Sequence, residues 1–140
     1  MASRVNARLG DQSGFTLAEL LVVVLIIGIL AAIAVPSFLS QKTKAQDVQA
    51  KTDARTAATT IESYYLEKDT YDADVANLQE IEQSLRNSTL TAVTGDDERF
   101  TVTATSKTGN VFSFTRRRNG NDVRRCNPAG EGGCPDNGRW

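Results

Sequence analysis

Twenty-one consecutive residues, Phe15 to Val35, carry one charged side chain, Glu19. As an α-helix this run extends about 31 Å, close to the hydrocarbon thickness of a bilayer. Being apolar on every side, it has no polar face to turn to water, so it calls for lipid or other helices as its surroundings. Arg4 and Arg8 precede it, which by the positive-inside rule holds the short N-terminal stretch in the cytoplasm, although Lys42 and Lys44 follow the other end. Glu19 is the anomaly. A carboxylate within the apolar layer costs about 2 to 3 kcal/mol or more unless it lies near the interface or meets a positive partner.

Beyond this run, roughly a hundred residues remain, enough for one modest core. The 140-residue chain is close to neutral, with 16 basic and 17 acidic residues, but its charges are segregated. Residues 40–98 hold six basic and twelve acidic groups, a net of −6, whereas 99–140 hold eight and three, a net of +5. Such a chain has either a surface of uneven sign or copies that attract head to tail. Histidine is absent, which removes the commonest general base and metal ligand and sets enzyme readings aside. Cys126 and Cys134 flank a turn-rich Asn-Pro-Ala-Gly-Glu-Gly-Gly segment with no further metal ligands nearby. A disulfide in an oxidising, extracytoplasmic compartment is the expected state, and neither a metal nor another cofactor is expected.

Pro36 bends or weakens the helix without necessarily ending it, and Gly28 is a second weak point. Ala50, Ala54, Ala57, Ile61 and Tyr64 then recur at helical spacing, with Lys51, Asp53, Arg55 and Glu62 between them. The simplest joining is one helix over 15–67, apolar in its first half and amphipathic in its second. Asp74 is placed to cap a short helix over 75–86 with Val75, Leu78, Ile81 and Leu85 on one face. From Leu90 the period changes to two. Leu90–Thr94, Phe100–Thr105 and Val111–Arg116 read as an antiparallel meander, with a fourth strand near Asp122–Cys126. The fold class is α+β, a long N-terminal helix with an antiparallel sheet of three to four strands.

Three readings compete for the N-terminus. Ala32-Ile33-Ala34 gives a secretory signal peptide a usable cleavage site, against which stand Pro36 and the internal Glu19. A plain signal anchor displaying a binding protein explains the length of the run but not the glutamate. The third rests on the stretch from Gly14-Phe15-Thr16-Leu17-Ala18-Glu19 through Gly28 to Pro36, which resembles the N-terminus of type IV pilins without a gap. The resemblance covers roughly residues 13 to 45, beyond which the order of elements and the cysteine pair agree.

The resemblance implies a leader (1–14) cut after Gly14 by a prepilin peptidase, and N-methylation of Phe15 by the same enzyme. It also implies a transmembrane or filament-core helix (15–36) and an extracytoplasmic head (37–140) closed by a Cys126–Cys134 disulfide. Cleavage gives Phe15 a charged amine one turn from Glu19; in a lipid-free bundle a neighbouring subunit's amine serves, setting the register through Phe15, Thr16 and Glu19. Gly28 and Pro36 match positions that bound a locally melted helix in family filaments. The implied partners are further copies in a helical filament, the peptidase, an assembly ATPase with its inner-membrane platform, and membrane lipid before assembly. The implied locations are the cytoplasmic membrane for the prepilin and the cell surface for the pilus, with adhesion, motility or secretion as the role. A pseudopilin of a type II secretion or competence system shares the N-terminal features.

Weaker signals have bland alternatives. Arg116, Arg117 and Arg118, with Arg124 and Arg125, read as a DNA patch or as a solvated basic edge. Asp96-Asp97-Glu98 reads as a calcium site or a polar turn. Asn87-Ser88-Thr89 is a glycosylation sequon. Phe38, Tyr64 and Tyr65 read as an aromatic path or as packing.

Overall fold

The computed structural model describes residues 14–140; Arg4, Arg8 and the rest of the expected leader before Gly14 lie outside the described residues. The chain divides into an N-terminal unit ending at Ser37 and a head unit, Phe38–Trp140. Helix α1 runs Leu17–Lys68 with Pro36 inside it. Its residues from Leu17 to Leu39 are exposed, and the helix is long and apolar enough to cross a membrane.

In the head, α1 buries a face of small side chains, Ala50, Ala54, Ala57 and Ala58, followed by Ile61. Helix α2 (Val75–Ile81) and a 3-10 turn (Gln83–Asn87) precede four strands, β1 (Leu90–Gly95), β2 (Arg99–Thr105), β3 (Val111–Arg117) and β4 (Asp122–Asn127). They form one antiparallel sheet in the order β1-β2-β3-β4. Period-two alternation sends Phe100, Val102, Ala104, Phe112 and Phe114 inward, where they share one core with the α1 face. Thr101, Thr103, Ser113 and Thr115 alternate with them on the other face, and the Thr101 and Thr115 hydroxyls lie 2.9 Å apart. The Ala-rich face suits this sheet because small side chains leave room for the buried Phe100 and Phe112 rings.

Cys126 and Cys134 form a disulfide. In the segment it closes, Gly132 has φ +58 and lies against Asp47, so a side chain there would meet both backbone strain and the carboxylate. Gly95 is required for a different reason: the Tyr71 backbone occupies the space a Cβ would take.

Two expectations need correction. The helix expected over 75–86 ends at Ile81, because Glu82 takes an extended conformation and its carboxylate caps the following 3-10 turn by accepting from the Ser84 N–H. That break brings Leu85 into the core but leaves Ile81 44% exposed. Asp53, expected on the polar face of α1, is buried. Asp74 caps α2 as anticipated, with Asn77 closing a reciprocal capping box.

Candidate functional site

The N-terminal segment has its own local order. Thr16 immediately precedes α1, and its N–H and hydroxyl donate to Glu19 Oε2 at 2.8 and 2.9 Å, while the Glu19 N–H donates back to the Thr16 hydroxyl at 3.1 Å. This is a capping box of the form Thr-x-x-Glu, which satisfies N–H groups that the first helical turn leaves without partners. The signal was present in the sequence as Thr16-Leu17-Ala18-Glu19. It gives the carboxylate a partner within its own chain, whichever neighbours it later meets.

Phe15 is 94% exposed, and a Cβ built on Gly14 would meet nothing within 4 Å. Nothing among the described residues therefore requires glycine at position 14. Gly28 is equally uncrowded, and α1 is helical through both Gly28 and Pro36.

In the head, three carboxylates of α1 each hold a different part of the chain. Asp47, fully buried, accepts from the Thr108 hydroxyl at 2.6 Å, Asn110 Nδ2 at 2.8 Å and the Gly133 N–H at 2.7 Å. It thereby joins the β2–β3 turn and the disulfide segment to the helix. Burial opposes its charge, but hydrogen bonds from Ser106, Thr108, Gly133 and Asn110 outweigh that and hold its carboxyl below the usual range. One turn on, Lys51 donates to the Gly133 carbonyl at 2.6 Å and lies over the Phe112 ring. Asp53 accepts from the N–H and hydroxyl of Thr89, at 2.7 and 2.6 Å, fixing the entry to β1. Glu62 accepts from the Tyr71 hydroxyl and from Arg116 Nη1, both at 3.2 Å.

These contacts revise the weaker signals. Arg116 does not belong to an exposed basic patch: its Nε and Nη2 donate to Asp122 at 2.6 and 2.8 Å, and Nη1 to Glu62. Arg117 and Arg118 remain exposed. Arg116 draws the Asp122 carboxyl below its usual range. Asp96 accepts from the N–H groups of Glu98 and Arg99, both at 2.9 Å, which makes the Asp96-Asp97-Glu98 run a polar turn. Among the described residues no cluster of three or more Asp, Glu, Cys or His side chains is placed to hold a metal ion. Thr89 of the sequon is engaged by Asp53, while Asn87 is exposed. Tyr65 stacks on Tyr71 at 4.3 Å between ring centres, and Tyr71 meets Phe100 at 5.1 Å, so Tyr65 packs on the core; Phe38 stays 70% exposed.

Residues 9–35 match the family model described as the prokaryotic N-terminal methylation motif. The segment is thus similar to the N-termini that this methylation motif describes. The chain is 47% identical over 75 residues to the type IV major pilin protein PilA of Myxococcus xanthus, covering 54% of this chain and 32% of that protein. It is 41% identical over 69 residues to the type II secretion system core protein G of Pseudomonas aeruginosa, covering 49% of each. It is 46% identical over 56 residues to a fimbrial protein of Pseudomonas aeruginosa, covering 40% of this chain and 36% of that one. The chain thus spans about half the length of these relatives or less. The long helix, four-stranded antiparallel sheet and C-terminal disulfide are those of the type IV pilin fold. By name the relatives are a type IV major pilin, a type II secretion system core protein and a fimbrial protein.

Proposed function

We propose that the chain is a prepilin that is inserted in the cytoplasmic membrane through residues 15–36, cut after Gly14, methylated on Phe15 and polymerised into a type IV pilus. The observation that carries this reading is the Gly14–Glu19 motif opening a helix whose apolar side chains from Leu17 to Leu39 are all exposed. Exchanging lipid for neighbouring helices has little net hydrophobic cost, so such a helix is suited to leave the bilayer for a filament core. Glycine at position 14, which no neighbour among the described residues demands, is a requirement that a processing enzyme would impose. Glu19 is proposed to set subunit register with the Phe15 amine of a neighbour, exchanging its capping bonds with Thr16 for that contact. Gly28 and Pro36 are proposed as the positions between which the helix loosens in the filament. The head, residues 37–140, lies outside the membrane in this scheme, and its disulfide suits that compartment.

A second reading, a pseudopilus subunit of a type II secretion system, is favoured by the match to core protein G, which covers about half of each chain. Electron microscopy of sheared cell-surface material, with antibody against the head, tests the choice. Long labelled surface filaments at native expression support the pilus. Subunits confined to the envelope support the pseudopilus, and unassembled monomers in the membrane overturn both.

A further inference from the structure

Beside the core, α1 and the end of the sheet enclose a cleft of about 160 Å³ lined by Arg55, Ala58, Thr59, Phe114, Arg116 and Arg124. The Arg116 guanidinium is occupied by Asp122 and Glu62. The other two are not: among the described residues no carboxylate lies within ion-pair distance of Arg55 or Arg124, and Arg124 Nε is buried with no acceptor. Both are nevertheless held in place. Arg55 lies over the Trp140 ring at 5.2 Å, and Arg124 lies between Trp140 at 5.8 Å and Phe114 at 5.3 Å. A guanidinium stacked on aromatic rings keeps its N–H donors at its edges, preorganised to grip a carboxylate.

The volume and the sign of the charge restrict the occupant. Sites for whole small-molecule ligands begin at about 300 Å³, so this cleft suits a single acidic side chain. The chain carries such side chains, exposed, at Glu67, Asp69 and Asp72, within the half whose net charge is −6. Glu67 does not fill the cleft of its own molecule, and among the described residues neither Asp69 nor Asp72 forms an ion pair with Arg55 or Arg124. Arg55 and Glu67 are twelve residues apart on α1, about 18 Å along its axis, beyond the reach of either side chain.

We propose that the Arg55–Arg124 cleft binds a carboxylate from the 67–74 segment of a second copy of this chain. Donor and receptor patches differ, so the contact is heterologous and repeats without closing on itself, as a filament requires. This inference rests on the filament reading above and names a contact within it.

Trp140 is the sole tryptophan of the chain and stacks on both free guanidiniums, so its fluorescence reports the cleft directly. The full-length chain in detergent micelles is titrated with a synthetic peptide of residues 66–74, with the same peptide bearing Asn and Gln in place of its acids, and with sodium acetate. A saturable change with the acidic peptide, at least about tenfold weaker with the amide peptide and with acetate, is expected. Arg55→Gln, an exposed substitution that leaves the core intact, is expected to weaken binding by about tenfold or more. Equal response to the two peptides, no response, or unchanged binding by Arg55→Gln overturns the proposal. Acetate matching the peptide also overturns it, since a free small carboxylate would then be the occupant. Filaments on cells together with no peptide binding would leave the pilin reading standing and remove this contact; binding without filaments would support the contact and remove the pilus.

Discussion

The two stretches of α1 solve opposite problems with the same backbone. From Leu17 to Leu39 the helix exposes its apolar side chains and buries none of them within its own chain. From Asp47 to Ile61 it buries alanines, one isoleucine, Thr60 and two carboxylates, and each polar side chain it takes inward has a partner, Thr60 donating to the Thr56 carbonyl. The first stretch is specified by composition alone, so many apolar sequences would serve it. The second is specified residue by residue, because an unpaired buried carboxylate is costly whereas a satisfied one fixes register. Polymerisation would therefore be lost by changes in the first stretch that leave the head intact, and stability by changes in the second that leave the membrane segment intact.

The largest expected effect is at the processing site. Gly14→Val should leave the leader attached and abolish filaments while the melting temperature of the head stays unchanged, since no atom of the described residues lies within 4 Å of the new Cβ. Abundant normal filaments from this variant would break the proposed separation of roles. Phe112→Ala, in the core, should destabilise the head by about 3 to 5 kcal/mol in thermal or denaturant unfolding, and leave membrane insertion as before.

Asp47→Ala should cost on the order of 3 kcal/mol, because Asn110 and the Gly133 N–H lose their buried acceptor. Its effect on pH dependence sharpens the same point. The Asp47 and Asp122 carboxyls titrate below their ordinary range in the folded head, so their contribution is fully present above about pH 4 and is lost as pH falls through the lowered values. Stability measured from pH 5 down to 2 should therefore fall, less steeply for Asp47→Asn than for the unaltered head; an unchanged slope would remove Asp47 from the account. The smallest effect belongs to Gly28→Ala, which should stabilise the helix by about 1 kcal/mol or less and leave the unfolding of the head unmoved.

How much of this was readable in the sequence follows the same division. The apolar run, the Asp74 cap, the strands with their period of two, and the cysteine pair are local patterns, and the structure has them at nearly the expected bounds. The inward carboxylates were not readable, because Asp53 falls among polar residues at helical spacing and the groups that satisfy it lie 36 residues away at Thr89. Asp47 finds its partners 61 to 86 residues away, which no periodicity displays. The expected helix over 75–86 failed for a related reason: its apolar spacing is unbroken, but Glu82 prefers to cap the next turn. The Thr16–Glu19 box, by contrast, is a purely local Thr-x-x-Glu signal, which the reading of these residues as register determinants passed over.

The central claim is that residues 15–36 are released by a cut after Gly14 to become the terminus of an assembling subunit. Mass spectrometry of the mature chain from its native membrane tests this most directly. A chain beginning at N-methylated Phe15 is predicted, and one retaining Met1 or Ala2, or beginning at Val35, would contradict it.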